Sequence, residues 1–141
     1  MEFYHEQAKD LPIIAETDVL VCGCGPAGIG AAIAAARRGA RVMATEMQSC
    51  LGGIATAGMM SHWGGRSSSF VLPEIYARQT EKAKVMGGFG ENQRKYVDDG
   101  YATISINHEE QKIILDEMFA EAGVKVLFNT LVVGAVVENG R

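Results

Sequence analysis

The sequence lacks the features that mark disulfide-rich and metal-binding proteins. It holds only three cysteines in 141 residues, namely Cys22, Cys24 and Cys50. An odd number at these spacings does not form a disulfide framework, so we expect a reducing compartment, the cytoplasm. Cys22-x-Cys24 has one intervening residue and no second ligand pair, unlike a zinc knuckle. No metal site is therefore predicted.

The sequence also lacks a net positive charge and a long unbroken apolar run. Its net charge of -4 gives it no general attraction for phosphate backbones, so nucleic acid is not expected as a partner. Residues 1–10 are polar and do not resemble a secretory signal. Residues 19–36 are uncharged over nearly the length of a membrane span, but glycines and a proline interrupt their first half. We therefore predict no membrane segment.

Glycine is abundant, with 17 residues, and its placement is informative. The apolar run Asp18 to Cys22 is typical of a strand buried on both faces of a parallel sheet. It leads into the spacing Gly23-x-Gly25-x-x-Gly28, and a helix is predicted from Pro26 to about residue 38. In this pattern the first glycine permits the turn, the second a close approach of diphosphate, and the third tight packing of helix on strand.

A carboxylate follows at the spacing that a dinucleotide site requires. The next predicted strand, Arg41 to Glu46, ends in an acid 23 positions after Gly23. Such an acid accepts hydrogen bonds from ribose hydroxyls and would repel a 2′-phosphate. Strand, glycine turn, helix and a second strand ending in an acid together predict a nucleotide site.

A second glycine cluster, L-G-G-I-A-T-A-G at residues 51–58, favours a cofactor longer than NAD. Gly52 and Gly53 permit another close backbone approach, and the small residues Ala55, Thr56 and Ala57 leave room for a bulky group. In a plain NAD domain, a helix usually follows the second strand directly. The alternative interpretation of the cluster is a flexible loop.

The remaining segments suggest further helices and strands. Residues 1–17 form a predicted lead-in arm, residues 50–69 a loop with a short helix, and residues 66–100 an inserted helix and mobile loop. Tyr101 to Ile106 is a predicted short strand. After a helix N-cap at Asn107, an apolar helix face is expected to contain Ile114, Leu115, Met118, Phe119 and Ala122. Strands are predicted at residues 124–128 and 131–138, before a hairpin signal at Asn139-Gly140.

Residues 17–65 and 107–141 resemble the FAD-dependent oxidoreductase family, which has the glutathione-reductase-type FAD-binding fold and is distantly similar to fumarate reductase flavoproteins. The resemblance is carried by V-L-V-C-G-C-G-P-A-G-I-G, by Glu46, by L-G-G-I-A-T-A-G and by N-H-E-E-Q-K-I-I-L-D-E-M-F. It implies an α/β fold: a Rossmann-like parallel sheet with flanking helices and the start of a β-meander. The implied FAD-binding residues are Gly23, Gly25, Pro26, Ala27, Gly28, Glu46, Met47, Gly52, Gly53, Thr56 and Val132.

By this resemblance, the glycines of the first loop and Ala27 hold the diphosphate, and Glu46 holds the ribose. The segment near Val132 passes the adenine. The family's closing Gly-Asp segment is not in the sequence, so we expect an N-terminal fragment of a longer flavoenzyme. The expected reaction is hydride transfer from an unidentified small-molecule substrate to FAD, which a separate electron acceptor reoxidises.

Two alternatives stay open at this stage: an NAD-binding dehydrogenase domain, and a nucleotide-binding module without activity. No catalytic residue is assigned. His62 is a candidate for proton transfer or covalent flavin attachment. The alternative interpretation is that this histidine positions its loop. Arg66 is a candidate for neutralising an anionic substrate or a reduced flavin. The alternative interpretation is a charged loop residue that contacts only solvent. Oligomeric state is also open, with a homo-oligomer as one alternative.

Overall fold

The computed structural model describes residues 2–3, 8, 10–60, 62–66, 70–86, 96–98 and 101–138. Six strands and three helices lie in these ranges, with a 3₁₀ turn at Gly53–Ala55. In chain order they are β1 (Val19–Cys22), α1 (Pro26–Arg37), β2 (Val42–Thr45), β3 (His62–Arg66), α2 (Leu72–Met86), β4 (Tyr96–Asp98), β5 (Tyr101–Ser105), α3 (His108–Ala122) and β6 (Lys125–Leu127).

A parallel sheet with the strand order β1-β2-β6 carries the core on one face. Leu20 of β1 is 51% exposed, so the expected burial of this strand on both faces is not found. Val19 lies opposite Val42, and Ala44 lies opposite Val126. Helices α1 and α3 pack against each other, and α2 packs on α3. The predicted α/β class with a Rossmann-like parallel sheet and flanking helices is therefore confirmed.

The core lies between the parallel sheet and these helices. Ile29 and Ile33 of α1 are buried in this core, as is Ile75 of α2. The predicted apolar face of α3 is confirmed, with Ala122 partly buried at its end. Its fully or nearly fully buried members are Ile114, Leu115, Met118 and Phe119. This burial removes apolar surface from water and fixes α3 relative to α1.

Helix α3 begins and ends at the residues that its sequence predicts. The Asn107 side chain accepts hydrogen bonds from the backbone N–H groups of Glu109, at 3.0 Å, and Glu110, at 3.4 Å. These bonds satisfy donors that have no partner within the helix. Gly123 closes the helix in the left-handed region, with φ 73°.

A second, antiparallel sheet with the order β3-β5-β4 lies between the second glycine cluster and α3 in the sequence; we call it the inserted sheet. Only β5 was expected from the sequence. Strands β3 and β4 fall in segments predicted to be loops, because H-W-G-G-R and Y-V-D show no clear alternation of apolar and polar residues. Their strand conformation depends on pairing with β5.

The strand predicted at residues 131–138 is not formed. These residues are exposed, and among the described residues no strand pairs with them. Their apolar composition suits a strand, but a strand needs a neighbour that accepts its backbone hydrogen bonds. The expected start of a β-meander is therefore absent from the described part of the chain, and the predicted turn at residues 139–140 lies outside it.

Candidate cofactor site

The first glycine loop connects β1 to α1 at the carboxyl edge of the parallel sheet. Gly23 has φ +96°, a left-handed conformation that favours glycine, and its N–H donates to the Thr45 carbonyl at 2.8 Å. A Cβ at Gly28 would overlap the carbonyl oxygen of Gly23. The loop and the first turn of α1 therefore touch backbone to backbone.

The space in front of the α1 N-terminus is open. Gly25 is the N-cap of α1, no side chain caps the helix, and Pro26 occupies its start. A Cβ built on Gly25 meets no protein atom within 4 Å. Free backbone donors and the positive end of the helix dipole thus face a volume that an anionic group can enter.

Glu46 fastens the first glycine loop to the end of β2. Its carboxylate is buried, with 6% of the residue exposed. One oxygen accepts the backbone N–H of Cys24 at 2.7 Å, and the other accepts that of Gln48 at 2.8 Å. Each oxygen has a further lone pair, so the carboxylate can accept hydroxyl groups as well.

Cys24 lies beneath the loop and is not a reactive thiol. It is fully buried, and its Sγ lies 3.7 Å from the carbonyl oxygen of Thr45. Burial, and then the nearby Glu46 carboxylate, raises the pKa of the Cys24 thiol to about 11. The thiol is therefore protonated at neutral pH and serves as a packing group.

The second glycine loop, residues 52–60, is joined to the first. Gly52 and Gly53 have φ +110° and +54°, and the Gly52 N–H donates to the Cys24 carbonyl at 2.9 Å. A Cβ on Gly53 would stand 2.9 Å from the Cα of Gly25. The two glycine clusters of the sequence therefore form one continuous backbone surface.

Thr56 lies under the second loop rather than on its surface. It is buried, and its hydroxyl donates to the Leu51 carbonyl at 2.5 Å. A Cβ on Gly52 would overlap the Thr56 side chain. Thr56 therefore determines the shape of the loop, and in this structure its hydroxyl is directed to the backbone of its own loop.

A cleft of about 290 Å³ opens beside Glu46 at the same edge of the sheet. Met47, 58% exposed, and Val132, 41% exposed, both line it. The Thr130 N–H donates to the Glu46 carbonyl at 2.9 Å, so the chain after β6 passes over the end of β2. The cleft is lined by Cys22, Gly23, Thr45, Glu46, Met47, Thr130, Leu131 and Val132.

The structure brings the two predicted glycine clusters, Glu46, Met47 and Val132 to one edge of the sheet. Sequence reasoning missed Thr130 and the backbone of Gln48, which complete the cleft and the Glu46 contacts. The sequence indicates these two residues only by their position, since each follows the end of one of two adjacent parallel strands. His62 and Arg66 lie in β3, and their side chains fall outside the described part of the structure.

The described residues contain no group of three or more His, Cys, Asp or Glu side chains placed to hold a metal ion. Nor do the described helices include one of the length and apolarity needed to cross a bilayer.

A model of the family described as FAD dependent oxidoreductase matches residues 18–141. The chain belongs to the FAD-dependent oxidoreductase family. Its cofactor is accordingly FAD, and the site fits that group: the Gly25 position leaves room for a diphosphate, and the buried carboxylate of Glu46 retains acceptor capacity.

Solved structures of flavoprotein folds are similar to the chain. Thermovibrio ammonificans THI4 is 23% identical with a TM-score of 0.50, over 79% of this chain and 38% of that one. A geranylgeranyl bacteriochlorophyll reductase-like protein from Thermoplasma acidophilum is 19% identical with a TM-score of 0.53, over 87% and 32% of the two chains. A flavocytochrome c3 fumarate reductase is 20% identical with a TM-score of 0.51, over 87% and 28%.

These likenesses concern the fold. The chain spans between 28% and 38% of the three solved chains. No curated protein matches the sequence.

Proposed function

We propose that the chain is the FAD-binding portion of a flavin-dependent oxidoreductase that takes a hydride from a small-molecule substrate and passes electrons to a separate acceptor. The observation that carries this proposal is the junction at Cys24. Its N–H donates to the Glu46 carboxylate, and its carbonyl accepts the Gly52 N–H. The ribose acceptor and both glycine loops thereby share one rigid connection, as a cofactor longer than a single nucleotide requires.

In the proposed arrangement, the first loop holds the diphosphate. The backbone N–H groups of Ala27 and Gly28 point out of the first turn of α1, whereas Pro26 supplies none and keeps the helix start rigid. Gly25 leaves the space that phosphate oxygens occupy. Glu46 accepts the ribose hydroxyls with lone pairs that its two backbone contacts leave free.

The cleft beside Glu46 is proposed to hold the adenine, between Met47 and Val132. The flavin end is then proposed to lie along the backbone of the second loop, whose close packing on the first loop depends on the missing side chain of Gly53. Thr56 supports this surface from below by fixing the turn. FAD, when bound, supplies the hydride acceptance, and these residues supply binding and orientation.

We propose that residues 1–141 act as one nucleotide-binding portion with a lead-in arm at 1–17 and an insertion at 66–100. Substrate recognition then belongs to parts of a longer protein, which agrees with the limited span relative to the solved chains. The free cysteines Cys22, Cys24 and Cys50 support a cytoplasmic location.

The proposal is tested by purifying the protein, recording its visible spectrum and identifying the released nucleotide by mass. A flavin spectrum with release of FAD is the expected result. Release of NAD from a colourless protein would support a dehydrogenase domain. A protein that neither retains nor takes up FAD on titration contradicts the proposal.

A pair of glycine variants separates binding from folding. In Gly25→Ala the new methyl meets no protein atom and φ is -68°, so the fold should persist while the methyl occupies the diphosphate space. We expect FAD affinity to fall at least about tenfold, since even a small misfit against the loop removes hydrogen bonds to the diphosphate. Gly30→Ala, on the same helix with equal space, is the control and should bind normally. Equal affinities in both variants would oppose the assignment.

A further inference from the structure

Two adjacent segments, which we call the neck, join the inserted sheet to the second glycine loop and to α3. The sheet is also joined to the parallel domain through α2, which lies between β3 and β4 in the chain and packs on α3. The outgoing segment passes from Met60, at the end of the second glycine loop, into β3 at His62. The returning segment passes from Ser105, at the end of β5, to His108 at the start of α3. His62 and Ser105 are paired across the two strands, so both segments run side by side.

A side-chain hydrogen bond spans the neck between residues 48 positions apart. The Nε2 atom of His108 lies 2.9 Å from the carbonyl oxygen of Met60. Since a carbonyl oxygen can only accept, Nε2 must carry the hydrogen in this contact. The imidazole thus joins α3 directly to the second glycine loop.

The His108 end of this contact is rigid. Asn107 caps the first turn of α3, and Ile114 and Leu115 are fully buried in the core one to two turns later. A side chain in that first turn therefore has a fixed position relative to the parallel sheet.

The Met60 end of the contact is less constrained by packing. Met59 is 73% exposed and has φ 53°, an unfavourable left-handed conformation for a residue with a side chain. Within the loop, the Met60 N–H donates to the Ile54 carbonyl at 3.0 Å. The beginning of the loop is held by Gly52 at Cys24, so His108 supplies an anchor for its other end.

We propose that His108 is a positioning residue: its imidazole holds the end of the second glycine loop and the neck of the inserted sheet in one geometry. The residue acts through the loop backbone and does not touch the reacting atoms. The part of this inference that concerns FAD rests on the proposed function. Loss of the contact should loosen the end of the loop and the neck and speed FAD release.

Three substitutions of the full chain test the role. His108→Gln keeps an N–H donor at about the reach of Nε2, His108→Asn ends short of it, and His108→Leu has no donor. Asp116→Asn, exposed on the same helix, is the matched control. For each variant, amide hydrogen exchange in residues 56–60, 62–66 and 101–105 is measured without added FAD. The FAD dissociation rate and the flavin absorption and circular dichroism spectra are measured with it.

In the Asn and Leu variants, we expect amide exchange in these segments to be about fivefold faster than in the wild type, and FAD release to be faster by the same factor. This factor corresponds to the loss of one net hydrogen bond. The flavin spectra should change in these two variants, and His108→Gln should restore both rates and spectra. Unchanged exchange in all three variants would overturn the inference, as would equal effects in the Gln and Leu variants. If the wild-type protein binds no FAD but the exchange pattern appears, the proposed function fails while the positioning role stands.

Discussion

At the residue scale, Cys24 shows how much of the site is made by backbone groups. Its N–H donates to Glu46, its carbonyl accepts from Gly52, and its side chain fills the space beneath the loop. Every residue except proline has the same N–H and carbonyl, but only a small apolar side chain suits the buried position. The packing beneath the loop therefore restricts the side chain at position 24, between the first two glycines. The hydrogen bonds of this position are made by main-chain atoms.

Substitution of Glu46 should weaken the fold before any cofactor is considered. In Glu46→Gln, one carboxylate oxygen becomes an NH₂ group that faces a backbone N–H donor, because both oxygens now accept such donors. We expect a loss of about 1–3 kcal/mol in the free energy of unfolding, the range for an unsatisfied buried polar group. Chemical denaturation measures it, with the exposed Glu138→Gln as control. Stabilities equal to wild type in both variants would show that the loop does not depend on the carboxylate.

Asp18 should contribute to stability in a pH-dependent manner. The Arg41 guanidinium, and then its backbone N–H at 2.8 Å, lowers the pKa of the Asp18 carboxyl from 3.8 to about 2. Because the folded-state pKa is depressed, the contribution is full above about pH 4 and is lost as the pH falls through about 2. In Asp18→Asn, the difference in unfolding free energy from wild type should shrink over this window. A difference independent of pH across the acid titration would contradict this origin.

At the element scale, the correctly predicted segments are those whose own residues indicate the secondary structure. Strands β1 and β2 are largely apolar, and β6 lies in the mostly apolar segment 124–128. Helix α1 begins at Pro26, and α3 has the Asn107 cap and a clear apolar face. Strand β3 and the unpaired segment 131–138 were assigned wrongly for the same reason. Strand formation depends on a partner distant in sequence, and composition alone does not identify that partner.

The candidate site was predictable where glycine spacing and an acid define it, and not where distant backbone groups meet. The spacing from Gly23 to Glu46 indicates that both lie at one sheet edge. It does not reveal that Gly53 packs on Gly25, nor that Thr130 crosses the end of β2. Likewise, the contact between His108 and Met60 links positions with no shared pattern.

Helices α2 and α3 each bury a glutamine whose amide should be replaceable. Gln79 is 1% exposed and Gln111 is fully buried, and neither amide has a hydrogen-bond partner within the described structure. Gln79→Leu removes an unsatisfied polar group at similar volume, so we expect a gain of about 1–3 kcal/mol in unfolding free energy. Thermal and urea unfolding measure it, with the exposed Ala77→Leu on α2 as control. A loss of stability would indicate that the amide has a bound partner such as an ordered water.

At the scale of the whole molecule, charged side chains tie the three helices together. Arg37 of α1 and Arg78 of α2 both pair with Glu74, at 2.7 and 2.8 Å, and Arg78 also pairs with Glu121 of α3 at 2.5 Å. These side chains are partly exposed, so each pair contributes modestly, about 0–1 kcal/mol. Together with the pair between Lys82 and Glu117, they align α2 antiparallel to α3, whereas the apolar core supplies most of the stability.

Cofactor binding should stabilise the entire domain. A ligand that binds only the folded state at about 100 times its dissociation constant adds about 2.7 kcal/mol to the unfolding free energy. We therefore expect FAD to raise the thermal unfolding temperature of the wild-type chain in a concentration-dependent manner, and NAD to have a smaller effect. Differential scanning calorimetry over a FAD series measures this. Equal shifts with both nucleotides would argue against selection for a flavin cofactor.

The direct packing of Gly53 on Gly25 has a consequence for protein engineering. Exchange of segment 50–58 between homologues should succeed only when glycine is kept at position 53, because a side chain there would collide with the main chain of Gly25 in segment 18–46. A functional graft should therefore transfer segments 18–46 and 50–58 together, with the donor protein's own residue at position 24. Directed evolution of this scaffold should accordingly yield paired rather than solitary changes across these two turns.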